Sequence, residues 1–231
     1  MSSCRGSTTD LGELFRLDAK AEGEDVAVGG WLSRGVSRTW DAPWFAVKLN
    51  RRNAPWAFSR GEAFRTIASL ELLGALIGLM VLGPKPIYDK EFIATLLLTC
   101  GTDNRSNSFL LDRMITTKYP LGVVLMELAA QSQVRGVSLR ARWIPRLQNE
   151  EADALTNSDF SAFDPAKRLE VDLATLDFRL LHELFAAGDS YIADLEKIKK
   201  SEQARASVSH TRPAPKKRKL AGQKLRDTNP W

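Results

Sequence analysis

Toward its middle the chain carries a helical run that ends near Leu82 and is apolar on nearly every side, which demands burial over most of its surface. Ser59-Arg60-Gly61-Glu62 has the capping-box spacing and predicts where this helix opens, and Gly83-Pro84 stops it. The next apolar run, Thr95 to Cys100, is uniform rather than alternating, as in a central strand covered on both faces. A buried helix and a doubly covered strand in succession require a layered fold with helices against a sheet.

The flanking segments supply that sheet. Leu14 to Asp18, Val26 to Leu32 and Trp44 to Leu49 read as three strands, the first two separated by the polar turn Ala21 to Asp25, which favours antiparallel neighbours. A short helix is expected from about Ser106 to Met114. Pro120 opens another, with Leu121, Val124, Leu125 and Leu128 as its stripe and Gly136 at its end. Leu139 to Trp143 alternates like a strand, and Asn149-Glu150-Glu151 reads as an Asn-capped helix start. Two amphipathic helices fit 174–187 and 190–203, the first striped by Leu173, Leu176, Leu180 and Leu184. The order predicts an α/β fold: a five-stranded mixed sheet, three antiparallel strands followed by parallel additions, flanked by helices. Expected boundaries are a disordered N-terminus at 1–10, one domain over 11–160, a helical extension over 161–203 and a disordered basic tail at 204–231.

The formal net charge of +5 divides unevenly. Residues 197–231 hold 11 Lys and Arg against two acids, a net of +9, so residues 1–196 carry a net of −4. The high isoelectric point therefore describes the tail. Two cysteines, Cys4 and Cys100, and two histidines, His182 and His210, argue against a disulfide framework or a zinc site. The polar first residues do not read as a secretion signal, and the apolar stretch from Leu72 to Gly83 is short for a bilayer, so a soluble intracellular protein without membrane contact is expected.

Four carboxylates fall at element ends or inside the buried helix. Asp18 closes the first strand, Glu71 lies among Ile67, Leu70, Leu72 and Leu73, Asp103 follows the central strand, and Asp153 sits in a helix's first turn. Converging carboxylates make an oxygen-rich site suited to hard divalent cations such as Mg²⁺. Two such ions together can activate water and stabilise a leaving oxygen. Structural readings stand beside this: Asp18 as a turn starter, Asp103-Asn104 as a helix cap, Asp153 as a helix-dipole partner. Glu71 resists such a reading, because an unpaired buried carboxylate is costly. Its helical face carries Ala68, Gly74, Ala75 and Gly78, which would let a strand or a metal approach closely.

Arg16-Leu17-Asp18-Ala19, Ser69-Leu70-Glu71-Leu72, Gly101-Thr102-Asp103-Asn104 and Trp143-Ile144-Pro145 with Asn149 to Leu155 occur in that order. Over about residues 11–160 this resembles the ribonuclease H domain of retrotransposon reverse-transcriptase polyproteins. The resemblance implies a ribonuclease-H-like sheet and hydrolysis of the RNA strand of RNA–DNA hybrids with two Mg²⁺ ions, Mn²⁺ substituting. Asp18, Glu71, Asp103 and Asp153 would be the catalytic metal ligands. Many relatives carry a histidine near the last strand or before the last acid, whereas this chain has none from residue 1 to 181 and no polymerase motif. A non-catalytic module of the same fold, binding nucleic acid or protein in the nucleus, is the alternative. An integrase-like relative fits less well, because Glu71 inside the helix matches the ribonuclease pattern.

For the nucleic-acid backbone the candidate contacts are Lys48, Arg51, Arg52 and Arg60, with Trp56 interleaved and Asn104 beside the central Asp. Equally, Trp56 would anchor an exposed loop to the core and Asn104 would cap a helix. Lys216, Lys217, Arg218 and Lys219 read as a nuclear-localisation signal or a nucleic-acid tether.

Overall fold

The structure, a computed structural model, describes residues 8–58, 61–87, 95–183, 185 and 197. The chain divides into two compact units, Met1–Gly188 and Asp189–Trp231, and the first of them carries the sheet, its helices and the acids.

Three strands, β1 (Thr8–Glu22), β2 (Asp25–Leu32) and β3 (Trp44–Leu49), form an antiparallel meander. The β1–β2 hairpin closes between Glu22 and Asp25, where Gly23 at φ 58° adopts the left-handed conformation the tight turn requires. The apolar strand β4 (Thr95–Thr102) then pairs parallel to β1, and β5 (Val137–Trp143) pairs parallel to β4. The sheet order is β3-β2-β1-β4-β5. This is the expected five-stranded mixed sheet, and the fold is ribonuclease-H-like. β1 runs past both ends of the expected strand because its outer residues pair with β2 and β4.

Helix α1 (Ile67–Leu82) is buried from Ser69 to Leu79 and packs on β1 and β2. The small residues on its inner face permit this: a Cβ on Gly78 would lie 2.6 Å from the Phe15 ring, and one on Gly74 would lie 3.5 Å from Leu17. Ala63–Leu82 is long and apolar enough to cross a membrane by length and composition, yet 67% of its most apolar 18 residues are buried within the fold, as expected of a core helix. Helices α2 (Arg105–Arg113), α3 (Leu121–Val134) and α4 (Glu150–Thr156) complete the set. α4 covers the face opposite α1, where Gly29 admits it: a Cβ there would lie 2.9 Å from Leu155. Phe15, Leu17, Phe45, Leu72, Leu76 and Leu98 form the main core, while Trp31, Trp44, Leu155 and Phe163 form a smaller one under α4.

Three local expectations are corrected. α1 does not open at Ser59, which lies with Arg60 outside the described residues; Gly61 at φ 95° cannot be helical, and Ala63–Thr66 forms a 3-10 turn first. Asn149 does not cap α4 with its side chain; its Nδ2 donates instead to the Leu17 carbonyl at 2.9 Å, tying α4 to β1. No helix spans 174–180: Asp172 turns the chain by accepting the Ala174 N–H at 3.0 Å, and helical residues begin at Leu181. Beyond residue 160, Phe163, Leu173, Leu181 and Phe185 are buried. The expected helix at 190–203 lies outside the described residues apart from Lys197, and Cys4 and the basic run 216–219 lie wholly outside them. Cys100 is fully buried, and burial pushes its thiol up to about 12, which marks it as a core residue.

Candidate metal centre

Asp18 stands in β1 opposite Gly29, Glu71 in the first turns of α1, and Asp103 one residue beyond β4. Pairing of β1 with β4 sets Asp18 and Asp103 side by side, and packing of α1 on β1 brings Glu71 to them. One carboxylate oxygen from each lies within 4.8 Å of the others. Asp153, in α4, borders the same groove of about 260 Å³, with Lys20, Arg146, Thr156 and Asn157. Larger hollows lie along β5 (about 970 Å³) and beside β3 (about 420 Å³), but neither is lined by any of the four acids.

Neighbouring hydroxyls hold the inner acids. Thr102 Oγ1 donates to Glu71 Oε2 at 2.9 Å and accepts the Asn104 N–H at 3.1 Å. Thr156 Oγ1 lies 2.9 Å from both Asp18 Oδ2 and the Asp153 carbonyl, bridging α4 to β1. Among the described residues no lysine or arginine pairs with Asp18, Glu71 or Asp103. Burial pushes the Asp18 carboxyl up to about 6, with Asp103 and Asp153 adding repulsion against the Thr156 hydrogen bond. Burial likewise holds Glu71 well above the usual carboxylate range, with Asp18 and Asp103 adding to it. An all-carboxylate donor set whose charge the protein leaves uncompensated is suited to a hard divalent cation.

Asp153 differs from the other three. Its Oδ1 accepts from Arg146 Nη2 at 2.7 Å and its Oδ2 from Asn157 Nδ2 at 2.9 Å. Arg146 is raised above its ordinary value by that hydrogen bond, with Asp103 and Asp18 contributing from further off.

The residues expected to bind nucleic acid fare unequally. Trp56 is a correction: it is 5% exposed and stacks on Phe185 at 4.9 Å, so it anchors its loop to the core and presents no face to a base. Asn104 accepts the Ser106 N–H on its side-chain oxygen at 2.9 Å and caps α2, the structural role expected as its alternative. Lys48, Arg51 and Arg52 are exposed near the β3 edge, and Arg51 pairs with Glu24 at 2.9 Å. None of the three lines the acid groove.

The sequence pattern did not reveal a ledge beside Asp103. Arg105 lies over the Trp143 ring, 4.1 Å from its centroid, and Trp143 Nε1 donates to the Asp103 carbonyl at 2.9 Å. Trp143 is 39% exposed, so a cation and an aromatic edge flank the acids. An aromatic at the end of an alternating strand beside the central acid was the signal that could have found it.

The strand order and converging acids define a ribonuclease-H-like fold with an acidic groove. No protein-family model matches the chain, and no curated protein does. Among solved structures, ribonuclease H1 of the halophilic archaeon Halobacterium salinarum NRC-1 is similar at 18% identity and TM-score 0.35, over 67% of this chain and 98% of that one. The N-terminal ribonuclease H domain of a Mycobacterium tuberculosis protein, solved as a fusion with maltose-binding protein, is similar at 17% identity and TM-score 0.40, over 67% and 95%. At those scores, the fold class stands on the chain's own strand order.

Proposed function

We propose that the protein is a divalent-metal-dependent endonuclease that hydrolyses the RNA strand of RNA–DNA hybrids. The observation that supports this best is the meeting of Asp18, Glu71 and Asp103 within 4.8 Å, without a basic partner among the described residues. Mg²⁺ is the ion favoured by an oxygen-only set, with Mn²⁺ as its substitute and two ions as the full complement. A cation bound there polarises a phosphoryl oxygen and lowers the pKa of its water.

The chain's own residues do the rest. Asp18, Glu71 and Asp103 would hold the cation, with Asp153 as the fourth ligand. Thr102 fixes the Glu71 carboxylate and Thr156 that of Asp18, so neither must reorganise during reaction. Trp143 steadies the backbone at Asp103, and Arg105 stands ready for a substrate phosphate. Recognition through phosphates and 2′-hydroxyls implies little sequence preference. The order of acid-bearing motifs supports a retroelement origin within a reverse-transcriptase polyprotein, and Lys216 to Lys219 support a nuclear address.

Cleavage of a labelled hybrid, with Mg²⁺ and with chelator, tests the reading. Asp103→Asn is expected to lower cleavage by about a hundredfold or more while leaving the circular-dichroism spectrum unchanged. Undiminished cleavage by that variant, or cleavage in chelator, would overturn the assignment. Hybrid binding without cleavage would favour the non-catalytic module.

A further inference from the structure

We propose that Arg146 is a resident counter-cation of the acid groove and must leave Asp153 before that carboxylate can ligate a divalent ion. The proposal rests on the metal-dependent reading above and adds an order to how the site fills.

Five acids line the groove; Glu22 faces Lys20, and the four candidate ligands differ in the kind of side-chain partner they hold. Asp18 and Glu71 each receive one hydroxyl hydrogen bond, which brings no positive charge to them. Asp153 has both oxygens engaged, one by Asn157 and the other by the Arg146 guanidinium. The groove's other basic side chain, Lys20, is turned to Asp25 at 2.8 Å and Glu22 at 3.4 Å. Among the described residues, Arg146 is therefore the only guanidinium lining the acid groove, and it neutralises the outer of the acids.

Its placement permits release. Arg146 sits on the short turn Arg146–Gln148 between β5 and α4, and its side chain is 77% exposed. Swinging the guanidinium away breaks an exposed ion pair and no core contact, which makes exchange with another cation easy. A substrate phosphodiester offers the displaced guanidinium a bidentate acceptor of matching geometry. Nucleic-acid binding and cation loading at Asp153 are then coupled, and each strengthens the other by the same factor.

The test is Mn²⁺ binding to the full chain without nucleic acid, read by the electron-paramagnetic-resonance signal of free ion. Arg146→Gln is expected to tighten the weaker binding step by about threefold to tenfold, allowing for solvent screening of an exposed pair. Arg146→Lys, which keeps the charge, is expected to stay near wild type. In an Asp153→Asn background, Arg146→Gln should yield no gain. A non-cleavable DNA duplex should tighten Mn²⁺ on the wild type and not on Arg146→Gln. Loss of a merely structural contact would weaken Mn²⁺ binding, so unchanged or weaker binding in Arg146→Gln overturns the proposal, as does a full gain in the Asp153→Asn background. Should the wild type bind no Mn²⁺ and cleave no hybrid, the functional reading fails with it. Should it do both while Arg146→Gln behaves identically, only the counter-cation role fails.

Discussion

Glu71 and Glu127 are both glutamates buried in apolar helices, at 4% and 0% exposure, and the fold treats them in opposite ways. Glu127, on α3, accepts the backbone N–H groups of Arg179, Leu180 and Leu181, and Gln131 Nε2 donates to it at 2.6 Å. Those amides open a helical turn and have no partners within it, so the carboxylate is consumed as a latch for the C-terminal segment. Glu71 receives one hydroxyl and faces two more carboxylates. A buried acid surrounded by donors holds the structure together. One surrounded by other acids lacks a counterion, and that lack is what a functional site exploits.

The sharpest way to break this contrast is to remove each acid. Glu127→Ala orphans three backbone amides and is expected to cost about 3 kcal/mol or more. That is about 6–12 °C in Tm for a domain of this size, measured by thermal unfolding. A change under about 2 °C would show that the latch is dispensable. Glu71→Gln should act in the other direction in chelator at about pH 7.5, raising Tm by about 2–4 °C, and should abolish the stabilisation by Mg²⁺.

The pH dependence sharpens the same point. Asp18, at about 6, and Glu71 both lie above their unfolded values, so these two groups hold more protons in the native state than in the unfolded chain from about pH 4 until pH passes their folded values. Their contribution to stability is present at low pH and is lost as pH rises through the folded values. In chelator, the wild type is expected to lose stability between about pH 5 and about pH 7.5 relative to Glu71→Gln. With Mg²⁺ holding the carboxylates ionised, that relative loss should disappear. A Glu71→Gln profile parallel to wild type under both conditions would contradict this.

The smallest effect concerns the ledge. Arg105→Ala is expected to weaken hybrid binding by about threefold to tenfold and to flatten its salt dependence, leaving the Mg²⁺-induced Tm shift intact. Equal salt slopes for wild type and variant would remove Arg105 from the interface.

The part of the site legible in the sequence is the part set by local pattern. An acid inside an apolar helix, small residues three, four and seven positions from it, and acids at strand ends are all properties of neighbouring residues. Gly74 and Gly78 do lie against Leu17 and Phe15 as that spacing suggests. The illegible part depends on partners far along the chain. Trp56 is hidden because Phe185 stacks on it, and Glu127 is structural because residues 179–181 reach it. Asn149 has the look of a cap and instead bonds a strand far earlier in the chain. No local pattern marks Arg146; its ion pair with Asp153 is what places it at the site.

β1 belongs to two partnerships of very different range. With β2 it closes a hairpin across two residues, whereas with β4 it pairs a segment far downstream, Thr8 meeting Thr95. Local pairing forms early in folding and distant pairing late, because loop closure precedes its reward. Asp18 is therefore in place within the meander before Asp103 arrives, and the mutual repulsion of the acids is felt only as the last elements dock. A cation that needs all of them is expected to act late in folding, slowing unfolding while leaving the folding rate nearly unchanged.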